Sequence, residues 1–136
     1  MPITVKWDND SKTVVNYEFN GKWTWDEYHT AIHTAYEMVE KLPYIVNMIL
    51  DFRHANAFPS NALSIFGRSM KTPPKEFDLA LIVSKSGFIE AIYNVFRRLN
   101  GKLAEKLVLV KTLEEARTVL AAYDAKRKTP IAAMPS

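Results

Sequence analysis

Hydrophobic and polar residues alternate in two short stretches near the start of the chain. Ile3 to Trp7 and Thr13 to Phe19 are rich in apolar side chains at every second position, and the polar stretch "DNDSK" lies between them. Alternation with a period of two is typical of strands that bury one face, and turn residues between two such runs favour a hairpin. The chain therefore begins with two predicted strands.

A helical pattern follows the second strand. Thr24 and Glu27 have the spacing of a capping box, which predicts a helix that begins at Trp25 and runs to about Leu42, before Pro43. Its apolar residues recur every three or four positions, so one stripe of the helix must pack on a sheet. The stripe consists of Trp25, Tyr28, Ile32, Ala35, Tyr36 and Val39.

Three later apolar runs predict further strands. They cover Tyr44 to Phe52, Leu79 to Val83 and Lys106 to Val110. The first two are almost continuously apolar, as expected of strands buried on both faces in a parallel sheet.

Three further helices are predicted around these strands. They cover Asn61 to Met70, Gly87 to Asn100, and Thr112 to about Tyr123, where Thr112 and Glu115 form a second capping box. The order of elements is thus β-β-α-β-α-β-α-β-α. Strands that alternate with helices indicate parallel pairing and right-handed crossovers, so we predict an α/β fold with a single-layer, mostly parallel five-stranded sheet covered by four helices.

The chain length of 136 residues suits one domain, which we predict over residues 1–123. Residues 124–136 contain the basic cluster "AKRK" and two prolines, and we predict a flexible basic tail there. The chain shows neither a signal peptide nor a run of about 18 apolar residues. We therefore expect no membrane span and a cytoplasmic location.

Composition excludes several kinds of chemistry. The absence of cysteine rules out disulfides, thiolate nucleophiles and cysteine-based metal sites. The four glycines are isolated, so no phosphate-binding glycine loop is present and we predict no cofactor. The net charge of +3 is a mild excess, and we predict no nucleic-acid partner.

Several segments taken together resemble a known family. These are "FNGKWTWDEYHTAI", "LDFRHANAFPSNALSIF", "LALIVSKSGFIEAIYNVFRRLNGK" and "LVLVKTLEEARTVL". In this order they resemble the SpoIIAA-like family, which is related to STAS domains and distantly, by fold, to CRAL-TRIO lipid-binding domains. The resemblance spans about Ile3 to Tyr123. It implies a mixed sheet with the first strand antiparallel at one edge, and it implies no established reaction.

The resemblance also points to the loop after the third strand. STAS anti-anti-sigma factors carry a phosphoacceptor serine at the start of the following helix, and their pattern places Ser60 at that position, with Asp51 at the first aspartate. Pro59 and Ala62 replace the acid and the glycine that flank the serine in the family. Independently of the resemblance, Ser60 or Asn61 is suited to cap the helix.

The residues Asp51, His54 and Ser60 include the types found in a catalytic triad. No nucleophile-elbow glycines surround the serine, so we predict no hydrolase and no enzyme activity. Asp51 and Arg53 are instead expected to organise the loop through charge-assisted hydrogen bonds. Ligands of open α/β sheets do bind at this end of the strands, which keeps the loop a candidate site.

Two histidines, His29 and His33, lie four residues apart on the first helix, a spacing that suits a metal ion. They flank the apolar stripe without a third strong ligand, which favours an ordinary solvated face. We therefore predict no metal site.

The third helix has more apolar surface than one sheet face needs. A core stripe is formed by Phe88, Ile92, Val95, Leu99 and Leu103. The surplus apolar residues, two of which lie around the second helix, are Phe58, Ile65, Ile89, Tyr93 and Phe96. Three interpretations stay open: mutual burial of the two helices, a dimer interface, or a groove for an apolar ligand. At its rim, Arg97, Arg98 and Lys102 would contact an anionic head group or complement the helix dipole.

Two functional hypotheses follow. The first is a non-catalytic regulatory or protein-interaction module of the SpoIIAA/STAS-like type, which self-associates as a homodimer or binds another protein. The second is a carrier or sensor of an apolar small molecule or lipid with an anionic head group.

Overall fold

The computed structural model describes residues 2–71, 75–99, 101 and 105–133. Its elements follow the predicted order of strands and helices. The strands are β1 (Ile3–Trp7), β2 (Val14–Gly21), β3 (Val46–Ala55), β4 (Phe77–Val83) and β5 (Leu107–Val110), and the helices are α1 (Trp25–Val39), α2 (Ala62–Lys71), α3 (Gly87–Leu99) and α4 (Leu113–Ala133).

The five strands form one mixed sheet in the order β1-β2-β3-β4-β5. Strand β1 pairs with β2 in antiparallel fashion, and every other neighbouring pair is parallel. The predicted α/β class, the five-stranded sheet and the antiparallel first strand are therefore confirmed. Each parallel connection advances by one strand, so three successive right-handed crossovers carry α1, α2 and α3 onto the same face of the sheet.

Two apolar cores lie on opposite faces of the sheet. The larger core joins side chains such as Phe19 and Phe52 of the strands to α1, α2 and α3. The smaller core joins Ile49, Leu81 and Val83 to α4. Because strand side chains alternate between the two faces, the continuous apolar runs of β3 and β4 supply both cores.

The predicted capping box of α1 is complete, and at α4 the hydroxyl half of the second predicted box is formed. The Thr24 hydroxyl accepts a hydrogen bond from the Glu27 amide at 3.2 Å, and the Glu27 carboxylate accepts from the Thr24 amide at 2.9 Å. At α4 the Thr112 hydroxyl accepts from the Glu115 amide at 3.0 Å. These bonds satisfy amides that have no partner within the helix, which is why the two helices begin where the sequence predicts.

The end of the chain differs from its prediction. Helix α4 continues to Ala133, well beyond the predicted end near Tyr123, while the flexibility of the chain from residue 124 stays a prediction. The segment "AAYDAKRK" explains the extension, because alanine, lysine and arginine are strong helix formers. Among the described residues, no helix has the length and apolar composition required to cross a membrane.

Helix α4 contacts β3, β4 and β5 on one face of the sheet. The part of that face that α4 does not cover carries polar side chains. On β1, on β2 beyond Val14 and at the end of β3, the side chains of this face are Thr4, Lys6, Asn16, Glu18, Asp51 and Arg53. We call this set the polar sheet face. It adjoins the loop after β3, where the sequence places its candidate site residues.

Candidate functional site

The polar sheet face is organised by an ion pair between Asp51 and Arg53. The Asp51 side chain is fully buried, whereas that of Arg53 is 35% exposed. Arg53 donates to the carboxylate from Nε at 2.9 Å, from Nη2 at 2.8 Å and from its backbone amide at 3.1 Å. The structure thus brings together the two residues expected to organise the loop, in the bidentate geometry that makes such pairs strong.

Opposing effects set the charge of Asp51. Burial raises the pKa of the carboxyl group, but the hydrogen bonds and positive charge of Arg53 outweigh burial, and the pKa lies below its ordinary value of 3.8. The coulombic interaction with His54 lowers the pKa of Asp51 further. Asp51 therefore stays ionised at neutral pH and has no proton to donate.

Two further ion pairs extend across this face. Lys6 of β1 lies 3.6 Å from Glu18 of β2. Arg117 of α4 donates to Asp8 from Nε at 3.1 Å and from Nη2 at 2.9 Å, which ties the helix to the β1–β2 turn. The four charged residues of the polar sheet face thus pair with one another, Lys6 with Glu18 and Asp51 with Arg53.

Asn16 lies between these pairs in β2. Its side-chain amide donates to Asp8 at 3.0 Å, while its Oδ1 is buried without a partner among the described residues. A buried acceptor without a donor costs free energy, which is typical of a strained or water-filled position.

The loop of residues 53–61 comprises the end of β3 and its connection to α2, and hydrogen bonds fasten it at two points. The Asn56 amide donates to the Gly21 carbonyl at 3.0 Å, and Nε1 of Trp25 donates to the Ser60 carbonyl at 2.8 Å. The side chains of His54, Ser60 and Asn61 are exposed. Asn61 has a φ of 66°, so the chain turns sharply through the left-handed region just before α2.

A cluster of aromatic rings in the core packs against this loop through Phe58. Phe58 lies 5.9 Å from Trp23, 5.6 Å from Phe52 and 5.1 Å from Phe88, measured between ring centroids. Trp23 contacts several further rings, and its buried Nε1 has no hydrogen-bond partner among the described residues. The half-buried Phe58 side chain thus anchors the loop to the aromatic cluster.

Asp51, His54 and Ser60 do not form a catalytic triad in the structure. Asp51 is engaged by Arg53, and within the described part of the chain no hydrogen bond joins His54 to Asp51 or to Ser60. A nucleophile needs a base within hydrogen-bonding distance, so this arrangement supplies no activated serine.

The structure bears on the three interpretations left open for the apolar surplus of α3. Ile89 and Phe96 are only 4% and 8% exposed and belong to the larger core, which agrees with mutual burial for these two residues. Phe88 and Leu99, assigned to the core stripe, are 49% and 78% exposed. The helix is rotated so that the side of Ile89, Ile92 and Phe96 faces the sheet.

The remaining residues of that patch are partly buried. Tyr93 is half-buried, and its hydroxyl donates to the Leu107 carbonyl at 3.0 Å. Ile65 is half-buried on α2. The Arg97 guanidinium lies 5.7 Å from the centroid of the Tyr93 ring, in a cation–π contact. Arg97 and Arg98 are exposed, and Lys102 and Leu103 lie outside the described residues.

The two histidines of α1 are both exposed. His33 lies 3.3 Å from Glu37, and His29 packs against the Tyr28 ring with centroids 5.6 Å apart. Across the described ranges, no group of three or more metal-ligating side chains comes together.

Described residues also line a groove and a cleft away from this loop. A groove of about 420 Å³ runs between β1 and α1 and is lined by residues that include Val5, Asp26 and Ala31. A cleft of about 540 Å³ separates the β1–β2 turn from α4, beside the Asp8–Arg117 pair.

Sequence reasoning missed the partners that come from distant segments. Asp8 and Arg117 are 109 residues apart, and Trp25 binds a carbonyl 35 residues away. Trp25 was assigned only to the apolar stripe of α1. Because neither contact leaves a local pattern, only the tertiary structure identifies them.

Comparison of the chain with protein-family models found no match. Comparison with curated proteins also found no match. The function is therefore argued from the site itself.

Proposed function

We propose that the chain is a non-catalytic regulatory module of the SpoIIAA/STAS-like type that binds a protein partner at the loop from Arg53 to Asn61. The observation that carries the proposal is the exposed loop fastened by the Trp25–Ser60 hydrogen bond. The loop follows a central strand at the carboxyl edge of a mostly parallel sheet, where open α/β sheets bind their ligands.

Fastening matters for affinity. A mobile loop loses conformational freedom when it binds, and that loss opposes association. Here the Asn56 and Ser60 backbone bonds and the aromatic contacts of Phe58 have already ordered the loop. The exposed side chains of Arg53, His54 and Ser60 then offer charge and hydrogen-bonding groups to a partner.

Phosphorylation of Ser60 is part of this proposal. The exposed hydroxyl lies two residues before the start of α2, where the positive end of the helix dipole stabilises added negative charge. A phosphate there would change the charge of the contact surface without entering the core.

The other partners in the hypotheses have weaker support. A homodimer through α3 would use Phe88 and Leu99, since Ile89 and Phe96 are buried. An apolar ligand between α2 and α3 would lie beside Phe66, Ile89 and Phe96, which are already packed in the larger core, so the carrier hypothesis ranks second.

A photo-crosslinking experiment tests the proposal. A photoreactive amino acid replaces Ala57 in the loop, and a matched variant carries it at the exposed Thr118 of α4. We expect a protein adduct specific to position 57. With the purified partner, His54→Ala should weaken binding at least tenfold and Thr118→Ala less than twofold, measured by calorimetry. Adducts identical at both positions, or equal effects of the two alanine variants, would overturn the proposal.

A further inference from the structure

Strand β1 has one backbone edge that no other described strand pairs with. It lies at the end of the sheet and, within the described part of the chain, pairs only with β2. Such an edge is a template for another strand, and natural proteins commonly block it.

Two hydrogen bonds define which backbone groups face outward. The Asp8 amide donates to the Val14 carbonyl at 2.8 Å, and the Pro2 carbonyl accepts from the Asn20 amide at 2.6 Å. The backbone N–H and C=O groups of the even-numbered residues of this strand therefore point toward β2. In an antiparallel ladder the alternate residues face the other way, so Ile3, Val5 and Trp7 direct their N–H and C=O groups outward.

The groove beside this edge suits an extended chain. It is bounded by β1 and by one side of α1 from Asp26 to Thr34. That length of helix covers about 12 Å, which matches roughly four residues of an extended strand. Val5 and Ala31 give the groove an apolar surface, and Thr30 and Thr34 form its outer wall.

The charge of the groove indicates what kind of segment it accepts. Its described lining includes Asp26 and Glu27 and no basic residue. Glu27 is engaged by the cap of α1, whereas Asp26 is exposed. Because α1 follows the end of β2, which pairs with the start of β1, both acids lie near the Pro2 end of the groove.

We propose that this groove binds an extended segment of another protein, which adds to β1 as a sixth strand. Side chains at alternate positions of the segment enter the groove, and a lysine or arginine contacts Asp26. Main-chain hydrogen bonds to Ile3, Val5 and Trp7 supply affinity, and the groove supplies selectivity. This surface is separate from the loop of residues 53–61, so the proposal stands or falls independently of that function.

The test uses the full chain and a defined set of peptides. An array of acetylated, amidated hexapeptides contains every combination of valine, threonine and lysine, and the tightest binder is titrated by fluorescence anisotropy. N-methylation of its alternate amides removes the donors that face β1 and should weaken binding at least tenfold. Val5→Pro removes an outward amide that donates to no other strand, and it should have the same effect while the fold is retained.

A matched pair of charge reversals on α1 tests the acidic end. Asp26→Lys should weaken binding about fivefold, since it replaces an attraction with a repulsion at an exposed site. Glu37→Lys makes the same change away from the groove and should alter binding less than twofold.

Several results would overturn the proposal. These are equal losses in the two lysine variants, undiminished binding of the N-methylated peptide, or no hexapeptide that binds below about 1 mM. A concentration-dependent dimer that Val5→Pro dissociates would show that a second copy of the chain occupies the edge. If Val5→Pro unfolds the protein, the N-methylated peptide still decides the outcome.

Discussion

Replacing Arg53 should harm the protein more than replacing Asp51, although the two residues share one ion pair. In Arg53→Met the Asp51 carboxylate stays buried and loses the Nε and Nη2 donors, keeping only the backbone amide. In Asp51→Asn the remaining charge is on Arg53, whose side chain is 35% exposed and can turn to water. The pair is therefore asymmetric.

The structure sets the expected magnitudes. Breaking a buried ion pair by removing one partner lowers the free energy of unfolding by about 3–5 kcal/mol, and the exposure of Arg53 places Arg53→Met near about 3 kcal/mol. Asp51→Asn loses hydrogen bonds but strands no buried charge, which corresponds to about 1–2 kcal/mol. Urea unfolding followed by tryptophan fluorescence measures both, with the exposed Arg98→Met as a control expected to change stability by less than about 0.5 kcal/mol.

The pH dependence gives a second, independent readout. In the unmodified chain the pKa of Asp51 lies below 3.8, so its stabilising contribution is complete above that pH and is lost only as the pH falls through the lower folded value. In Arg53→Met burial dominates and raises the pKa of the carboxyl group. The unfolding free energy of that variant should therefore increase as the pH falls from 7 toward 5. An Arg53→Met variant no less stable than Arg98→Met, or one whose stability does not respond to pH, would refute this reasoning.

Three further predictions concern the helices. Thr24→Ala removes a cap of α1 and should lower the free energy of unfolding by about 1 kcal/mol in urea titrations, whereas Thr118→Ala in mid-helix should change it by less than half as much. Phe96→Ala should destabilise by about 3 kcal/mol and Phe88→Ala by less than about 1 kcal/mol, measured in the same way; the reverse order would contradict the orientation of α3. Trp25→Phe removes the indole N–H that holds the loop carbonyl, so the amides of residues 56–61 should exchange hydrogen at least severalfold faster by mass spectrometry; unchanged exchange would show that the bond does not order the loop.

The strands and helix starts were predictable because their signals are local. The continuous apolar run of β3 and the capping box at Thr24 each lie within a few residues, and physical rules convert them directly into structure. The contact between Asp51 and Arg53 was predictable for the same reason, since the two residues are neighbours on one strand.

The orientation of α3 could not be predicted in this way. Its apolar residues form two overlapping stripes, one through Phe88 and Leu99 and one through Ile89 and Phe96, and both recur at helical spacing. The choice depends on the direction in which the chain leaves β4, which is a tertiary property. The link between α4 and the β1–β2 turn also escaped prediction, because it depends on Asp8 and Arg117 meeting across 109 residues.

The position of α4 has a consequence for synthesis of the protein. Helices α1, α2 and α3 cover their face as each strand is added, but the opposite face receives its only described helix from the last segment of the chain. While the ribosome is still making that segment, Ile49, Leu81 and Val83 of the nascent sheet remain open to water and to other chains. Translation that stops before residue 113 would therefore release an aggregation-prone product with an exposed apolar sheet face. Chaperones should bind such truncated products more than the complete chain.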